Sequence, residues 1–229
     1  MNSAQETPGI TGLYLVCTAL FVALLITSNV IAVKIILVSG RILPAAVALF
    51  PLTYILGDVL TEVYGFRLAR RVIWLGFLGN AVAVLGFWIG GLLPSAPFWS
   101  NQPAYQAILG ATPRLLMASF AGYLVGEFTN SVVLSRLKIA TGGRWLWMRT
   151  IGSTIVGQGA DSLAFITIAF IGTMAGGNLV ELLVTQWLVK VAYETLATPL
   201  TYVVVAYVKK KEGIDAYDRQ VSLNPFAFR

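Results

Sequence analysis

Apolar residues along this chain fall into six long runs, separated by short connections that hold most of the charge. The runs cover residues 13–38, 43–61, 72–93, 115–134, 150–172 and 179–208. A bilayer's hydrocarbon core, about 30 Å thick, is crossed by roughly 20 apolar residues in a helix. The pattern therefore predicts an all-α, polytopic membrane protein with six transmembrane helices. Residues 1–12 read as an N-terminal tail, 13–208 as one transmembrane domain, and 209–229 as a solvated, frayed C-terminal tail.

Basic residues sort the connections into two kinds. Arg67, Arg70 and Arg71 lie between the second and third runs. Arg136, Lys138, Arg144 and Arg149 lie around the fourth connection, and Lys209, Lys210 and Lys211 follow the sixth run. Connections 94–113 and 173–178 contain no Lys or Arg, and Arg41 in the first connection is the exception. Cations concentrate on the cytoplasmic side of a membrane. Both termini are thus expected in the cytoplasm, at a bacterial inner membrane. Residues 1–12 have no Lys or Arg, so they lack the basic start of a cleaved signal peptide. The outer segment 94–113, with Phe98, Trp99 and Tyr105, suits an interfacial anchor better than a lid.

Composition narrows the function classes. The chain is 57% hydrophobic and 11% charged, whereas soluble domains are about 25% charged. The net charge of +6 belongs to the connections, so it speaks for membrane topology and against nucleic acid. With no histidine and one cysteine, Cys17, neither a disulfide framework nor a His-based metal or catalytic site is available. No cofactor and no metal are expected. Cys17 reads as a small core or lipid-facing residue.

The exceptions to apolarity carry the chemistry. Of ten acidic residues, Asp58, Glu127, Asp161 and Glu194 fall within runs, at similar depth on four helices. A carboxylate at a helix centre costs about 2.5–3.5 kcal/mol, so four bare ones would cost on the order of 10–14 kcal/mol. Folding stability is only about 5–15 kcal/mol. The acids must therefore be paired, protonated, hydrated or occupied by a ligand.

Helical spacing gathers further polar residues onto the same faces. Tyr54, Asp58 and Glu62 follow one another at four-residue steps, as do Gln186, Lys190 and Glu194. Glu127 and Asn130 share a face, as do Gln158, Asp161 and Phe165. Lys190 can pair with Glu194 one turn away. Lys34 and Arg114 read as interfacial anchors. Isolated amides such as Asn29, Gln158 and Gln186 serve as helix glue about as readily as ligand contacts. Pro51 and Pro199 are candidate helix breaks whose freed carbonyls would line a cavity. Gly157 and Gly159 would permit close helix approach. A faint internal repeat matches Ser28-Asn29 with Thr129-Asn130, and Asp58-Val59-Leu60 with Asp161-Ser162-Leu163. It suggests a 3+3 inverted repeat, although the third pair of helices does not match.

Longer motifs carry a family resemblance. Phe50-Pro51-Leu52-Thr53-Tyr54, Gly57-Asp58, Thr61-Glu62-Val63-Tyr64-Gly65 and Ala69-Arg70-Arg71 resemble the signature of the queuosine precursor transporter family, also called the vitamin uptake transporter (VUT) family. Ala118-Ser119-Phe120, Gly126, Ser135-Arg136-Leu137, Asp161-Ser162-Leu163-Ala164-Phe165, Lys190, Tyr193-Glu194 and Pro199 extend the likeness to residues 28–202. The resemblance implies import of 7-deazaguanine bases for tRNA modification: 7-cyano-7-deazaguanine, 7-aminomethyl-7-deazaguanine or queuine. It also implies a six-helix fold similar to vitamin-binding S components.

The residues suit such a base. A guanine-like edge offers an N–H and an amino group, which a carboxylate accepts together. The expected substrate-binding set is Glu127, Asn130, Gln158, Asp161, Phe165, Gln186, Lys190, Glu194, Tyr54 and Asn29. Glu127, Asp161 and Glu194 would take the base edge, and Lys190 would donate to the carbonyl or pair with an acid. Phe50, Tyr54, Phe128, Phe165 and Trp187 are candidates for stacking. Asp58 and Glu62 would act in gating or proton coupling with Arg70 and Arg71. Expected partners are the 7-deazaguanine and the lipid bilayer, with a homodimer left open. No ATPase partner is required on this reading. The alternative is an S-component-like binding subunit energised by a separate ATP-driven module. An enzyme or a purely structural membrane protein fits less well.

Overall fold

The computed structural model describes residues 10–38, 41–110, 113–172, 176–219 and 221–227. The described residues form seven α-helices: α1 (Gly12–Ile31), α2 (Phe50–Tyr64), α3 (Phe66–Leu92), α4 (Gln102–Leu109), α5 (Pro113–Ala140), α6 (Leu146–Phe170) and α7 (Gly176–Glu212). A helix lies on each apolar run, and the short α4 sits in the segment between α3 and α5. Helices Gly12–Ile31, Phe66–Leu92, Leu146–Phe170 and Leu179–Glu212 are long and apolar enough to cross a membrane. Helix α2 has only 15 residues. Helix α5 carries Glu127, Thr129, Asn130 and Ser131 at its middle, which lowers its apolarity.

Polarity is inverted relative to a water-soluble protein. Leu78, Val82, Trp88, Leu163, Leu196 and Val203 project outward, while Asp58, Glu62, Arg70 and Arg149 are buried. Outward apolar side chains on several long helices need a lipid solvent. The protein is a multi-pass membrane protein.

Two expectations about the first runs are corrected. Helix α1 stops at Ile31 instead of continuing to residue 38, and strands β1 (Ile35–Val38) and β2 (Arg41–Pro44) form an antiparallel pair. Val33, Ile35, Ile36 and Val38 are β-branched, which favours strand over helix. The second helix begins at Phe50, so residues 43–49 lie outside it. Pro51 consequently occupies the first turn of α2, where it breaks no hydrogen bond. Pro199, by contrast, lies inside α7 and removes the amide donor to the Thr195 carbonyl. The N-terminal residues 1–9, residues 173–175 of the last connection, and the side chains of Arg41, Phe50 and Arg114 lie outside the described residues.

Helix α2 turns directly into α3 at Gly65, whose φ of 85° is a left-handed value that glycine adopts without strain. Helices α5 and α6 pack with little between them. A Cβ added at Gly157 would lie 2.7 Å from the Asn130 Cβ, and one at Gly126 would lie 2.6 Å from the Asp161 Cβ. These glycines form the small-residue seam that lets membrane helices approach closely. They set Asp161 beside Gly126 and Asn130, one turn further along α5, beside Gly157.

The C-terminal tail is the largest departure from expectation. Its described part is not frayed: residues 213–219 and 221–227 fold back over the joint between α2 and α3. Ala216 N donates to Val63 O at 3.0 Å, and Asp218 Oδ2 accepts from Phe66 N at 2.8 Å. Trp74 Nε1 donates to Pro225 O at 2.9 Å. Val221 and Leu223 pack on Phe66 and Ile73.

Candidate functional site

Helices α2, α5, α6 and α7 each deliver one carboxyl to a common region. Asp58 on α2 is buried and accepts a hydrogen bond from Asn130 Nδ2 on α5 at 3.2 Å. Glu127 lies on the same face of α5. Its Oε2 is 3.5 Å from where a Cβ on Gly57 would sit, which sets the carboxyl against α2. Asp58, Asp161 and Lys190 are the charges that act on Glu127. Lys190 Nζ on α7 pairs with Asp161 Oδ2 on α6. Glu194 follows Lys190 by one turn, hydrogen-bonds with Thr154 on α6, and feels Asp58 and Glu127. Tyr54 hydrogen-bonds with Gln158 amid Asp161, Glu194 and Glu127.

The expected pairing of Lys190 with Glu194 is therefore corrected to Lys190 with Asp161. Helix α7 faces α6 here, and a cross-helix partner at the same depth outcompetes one on the same helix. The cluster holds four carboxyls and one ammonium, so acceptors outnumber cationic donors. A ligand rich in N–H groups, or bound protons, would complete it.

Glu127, Asp161 and Lys190 are half-buried. A cavity of about 10 Å³ beside Glu127 is lined by Phe21, Gly57, Val72, Ile73 and Ser131 among others, with room for about one water. A bicyclic base is larger than this cavity and fits there only if its lining helices part. Gln186 lies one turn before Lys190, and its Oε1 is buried without a hydrogen-bond partner. Phe165 lies one turn after Asp161 and packs against Gly122. Trp187 Nε1 donates to Ile155 O at 2.9 Å, which fixes its indole at Gly159.

Several expected residues go elsewhere. Asn29 Nδ2 donates to Asn80 Oδ1 on α3 at 3.0 Å. Phe128 packs with Phe66 and Trp74, and so belongs to an aromatic core. Lys34 is exposed in the turn after α1.

A second ionic cluster sits one turn beyond Asp58. Glu62 is fully buried, and its Oε1 meets Arg149 Nη2 at 2.6 Å, Lys209 Nζ at 2.8 Å and Lys138 Nζ at 3.6 Å. Its expected partners Arg70 and Arg71 are thus replaced by cations from α5, α6 and α7. Arg70 Nη1 instead donates to Ser222 O and Asn224 O in the tail, at 3.0 and 2.7 Å. Arg71 is placed near Tyr14. Asp215 bridges Lys138 and Lys209 at 2.5 and 2.8 Å. Burial pushes the Asp215 carboxyl up, but its hydrogen bonds to the two lysines win and hold it below the ordinary carboxylate range.

Sequence reasoning missed Asn80, Ser131, Thr154, Asp215 and Asp218. Asp215 and Asp218 lie in a polar stretch with no periodicity to mark them. Among the described residues no three His, Cys, Asp or Glu side chains are grouped to hold a metal ion.

Residues 44–204 match the family described as "Putative vitamin uptake transporter". The chain belongs to the vitamin uptake transporter family. This VUT-family chain is similar to a Bacillus subtilis (strain 168) protein named "Probable queuosine precursor transporter", at 32% identity over 63% of the chain and 64% of the relative. It is 29% identical to the Escherichia coli (strain K12) "Queuosine precursor transporter", over 53% of the chain and 52% of that protein. A Haemophilus influenzae "Probable queuosine precursor transporter" is 26% identical over 53% of the chain and 49% of its own length. The matches thus span from about half to just under two thirds of the length of these relatives. No solved structure matches the VUT-family chain. The matched region contains every carboxyl of the inner cluster and Glu62, while Lys209, Asp215 and Asp218 lie beyond it.

Proposed function

We propose that this VUT-family protein imports queuosine precursors, 7-deazaguanine bases, across the bacterial inner membrane. The observation that carries the reading is the convergence of Asp58, Glu127, Asp161, Glu194 and Lys190 from four helices. The names of the relatives supply the substrate class. Glu127 and Glu194 accept the N–H and amino group of the base edge. Lys190, held by Asp161, donates to the ring carbonyl. Tyr54 and Phe165 flank the ring, and Asn130, Gln158 and Gln186 supply the remaining polar contacts. Asp58 lies between this site and the Glu62 cage and couples base release to the opening of that cage. Asn29 acts through Asn80, holding α1 on α3.

The reading takes six membrane spans, with both termini and the Glu62 cage on the cytoplasmic side. Its support is that Lys138, Arg149 and Lys209, from connections far apart in sequence, gather at one end of the bundle. A 3+3 inverted repeat would relate α1–α3 to α5–α7, with α4 between the halves. A homodimer is compatible with the reading, and it requires no ATP-driven module.

Uptake of labelled 7-deazaguanines into cells lacking precursor salvage tests the proposal. Wild type should accumulate label, and Glu127→Gln and Glu194→Gln should lose about tenfold or more, the worth of one charge-assisted hydrogen bond. Uptake of none of the bases by wild type would refute the substrate class. Uptake by purified protein alone in liposomes distinguishes a self-sufficient transporter from a binding subunit.

A further inference from the structure

We propose that residues 213–219 and 221–227 strap the cytoplasmic exit closed, with Asp218 as the lock. This rests on the reading of the chain as an importer whose basic end faces the cytoplasm.

The contacts of the strap are specific and span several helices. Asp218 is 8% exposed, and its Oδ2 accepts from Phe66 N at 2.8 Å and from Ser135 Oγ at 2.7 Å. One carboxylate thus ties the first residue of α3 to α5. A carboxylate at a helix N-terminus is also favoured by the helix dipole. Upstream, Asp215 ties Lys138 of α5 to Lys209 of α7. Downstream, Arg70 and Trp74 of α3 hold the carbonyls of Ser222, Asn224 and Pro225. Tyr217 lies 4.6 Å from Lys138 Nζ in a cation–π contact, and Phe226 packs on Trp74.

These contacts are placed where they oppose opening. The acid cluster lies among α2, α5, α6 and α7, so release toward this end requires those helices to separate. The Glu62 cage joins them from inside, and the strap braces α3, α5 and α7 across the outside. Gly65 completes the fit: a Cβ there would lie 2.9 Å from Asp218 Oδ1, so the residue at the α2–α3 turn must be small for the lock to seat. An unstructured tail would need neither a buried carboxylate nor bonds from arginine and tryptophan to its carbonyls. The strap opens by releasing Asp218 from Phe66 N and Ser135, and it then frees α5 to move from α3.

The test reads access to the interior and needs no substrate. Ser131 is 2% exposed beside the cavity at Glu127. With Cys17→Ser, Ser131→Cys becomes a single reporter thiol, labelled by a maleimide in inside-out membrane vesicles. Asp218→Ala in the full chain should raise the labelling rate about tenfold or more, since two buried hydrogen bonds to a carboxylate are lost. An unchanged rate in a monodisperse variant overturns the proposal. If Asp218→Ala does not fold, the pair Ser135→Cys and Asp218→Cys decides. With labelling read at the Ser131→Cys thiol alone by peptide mass mapping, oxidative cross-linking should slow it relative to the reduced protein, and equal rates at that thiol would overturn the strap. Failure of every base to be taken up would refute the importer reading while leaving these labelling rates to judge the strap.

Discussion

Arg149 Nη2 lies 2.6 Å from Glu62 Oε1, with the two side chains 1% and 0% exposed. So dry an ion pair holds only when each charge has further partners. Glu62 has them in Lys138 and Lys209, and Arg149 also donates to the carbonyl of Arg144. Removing the shared carboxylate leaves several cations facing one another. Glu62→Gln should destabilise the purified protein by about 3–5 kcal/mol, the usual cost of breaking a buried pair. Thermal unfolding in detergent measures it, and a midpoint within a degree of wild type would show the cage to be dispensable.

The Lys190–Asp161 pair behaves differently if it serves the substrate. Lys190→Met should cut uptake about tenfold or more by removing the donor to the base. The exchange of Lys190→Asp with Asp161→Lys rebuilds the pair and should restore stability without restoring uptake. Full transport by the exchanged protein would mean that the pair only holds α6 to α7.

Gly157 and Gly159 flank Gln158 yet should respond unequally. A Cβ at Gly157 would lie 2.7 Å from Asn130 Cβ, against backbone and a short side chain that cannot yield. At Gly159 the nearest atom is Trp187 Nε1 at 3.4 Å. Gly157→Ala should cost about 1–3 kcal/mol by overpacking, while Gly159→Ala should cost less. Unfolding midpoints of the two variants check the order, and the reverse order would contradict the seam between α5 and α6.

Asp215 gives a pH signature. Its folded pKa is lowered, so its ionised form stabilises the fold fully above the unfolded value of about 3.9. That contribution is lost as pH falls through the folded value. The unfolding midpoint of wild type should exceed that of Asp215→Asn at neutral pH, and the gap should close as acid protonates the carboxyl. A gap that grows on acidification would contradict the assigned sign.

Much of this architecture was legible in the sequence because bilayer physics leaves few options. A helix lies on each apolar run, and helix periodicity set the four acids of these runs on faces that meet. What periodicity does not encode was not legible. The run 13–38 has no polar break at Ile31, so only the β-branching of Val33, Ile35, Ile36 and Val38 hinted at the hairpin. Glu62 stands one turn from Asp58 and eight residues before Arg70, and its cage depends on cations up to 147 residues away. The tail was misread because its anchors, Asp218, Trp74 and Arg70, bond to main chain and to caps that no side-chain pattern announces.

The central claim is that Glu127 on α5 and Glu194 on α7 hold the base edge. Equilibrium binding of labelled 7-aminomethyl-7-deazaguanine to purified protein, comparing wild type with Glu127→Gln and Glu194→Gln, tests it most directly. The account predicts saturable binding by wild type and an affinity lower by about tenfold or more in both variants. Equal affinity in all three proteins would contradict it.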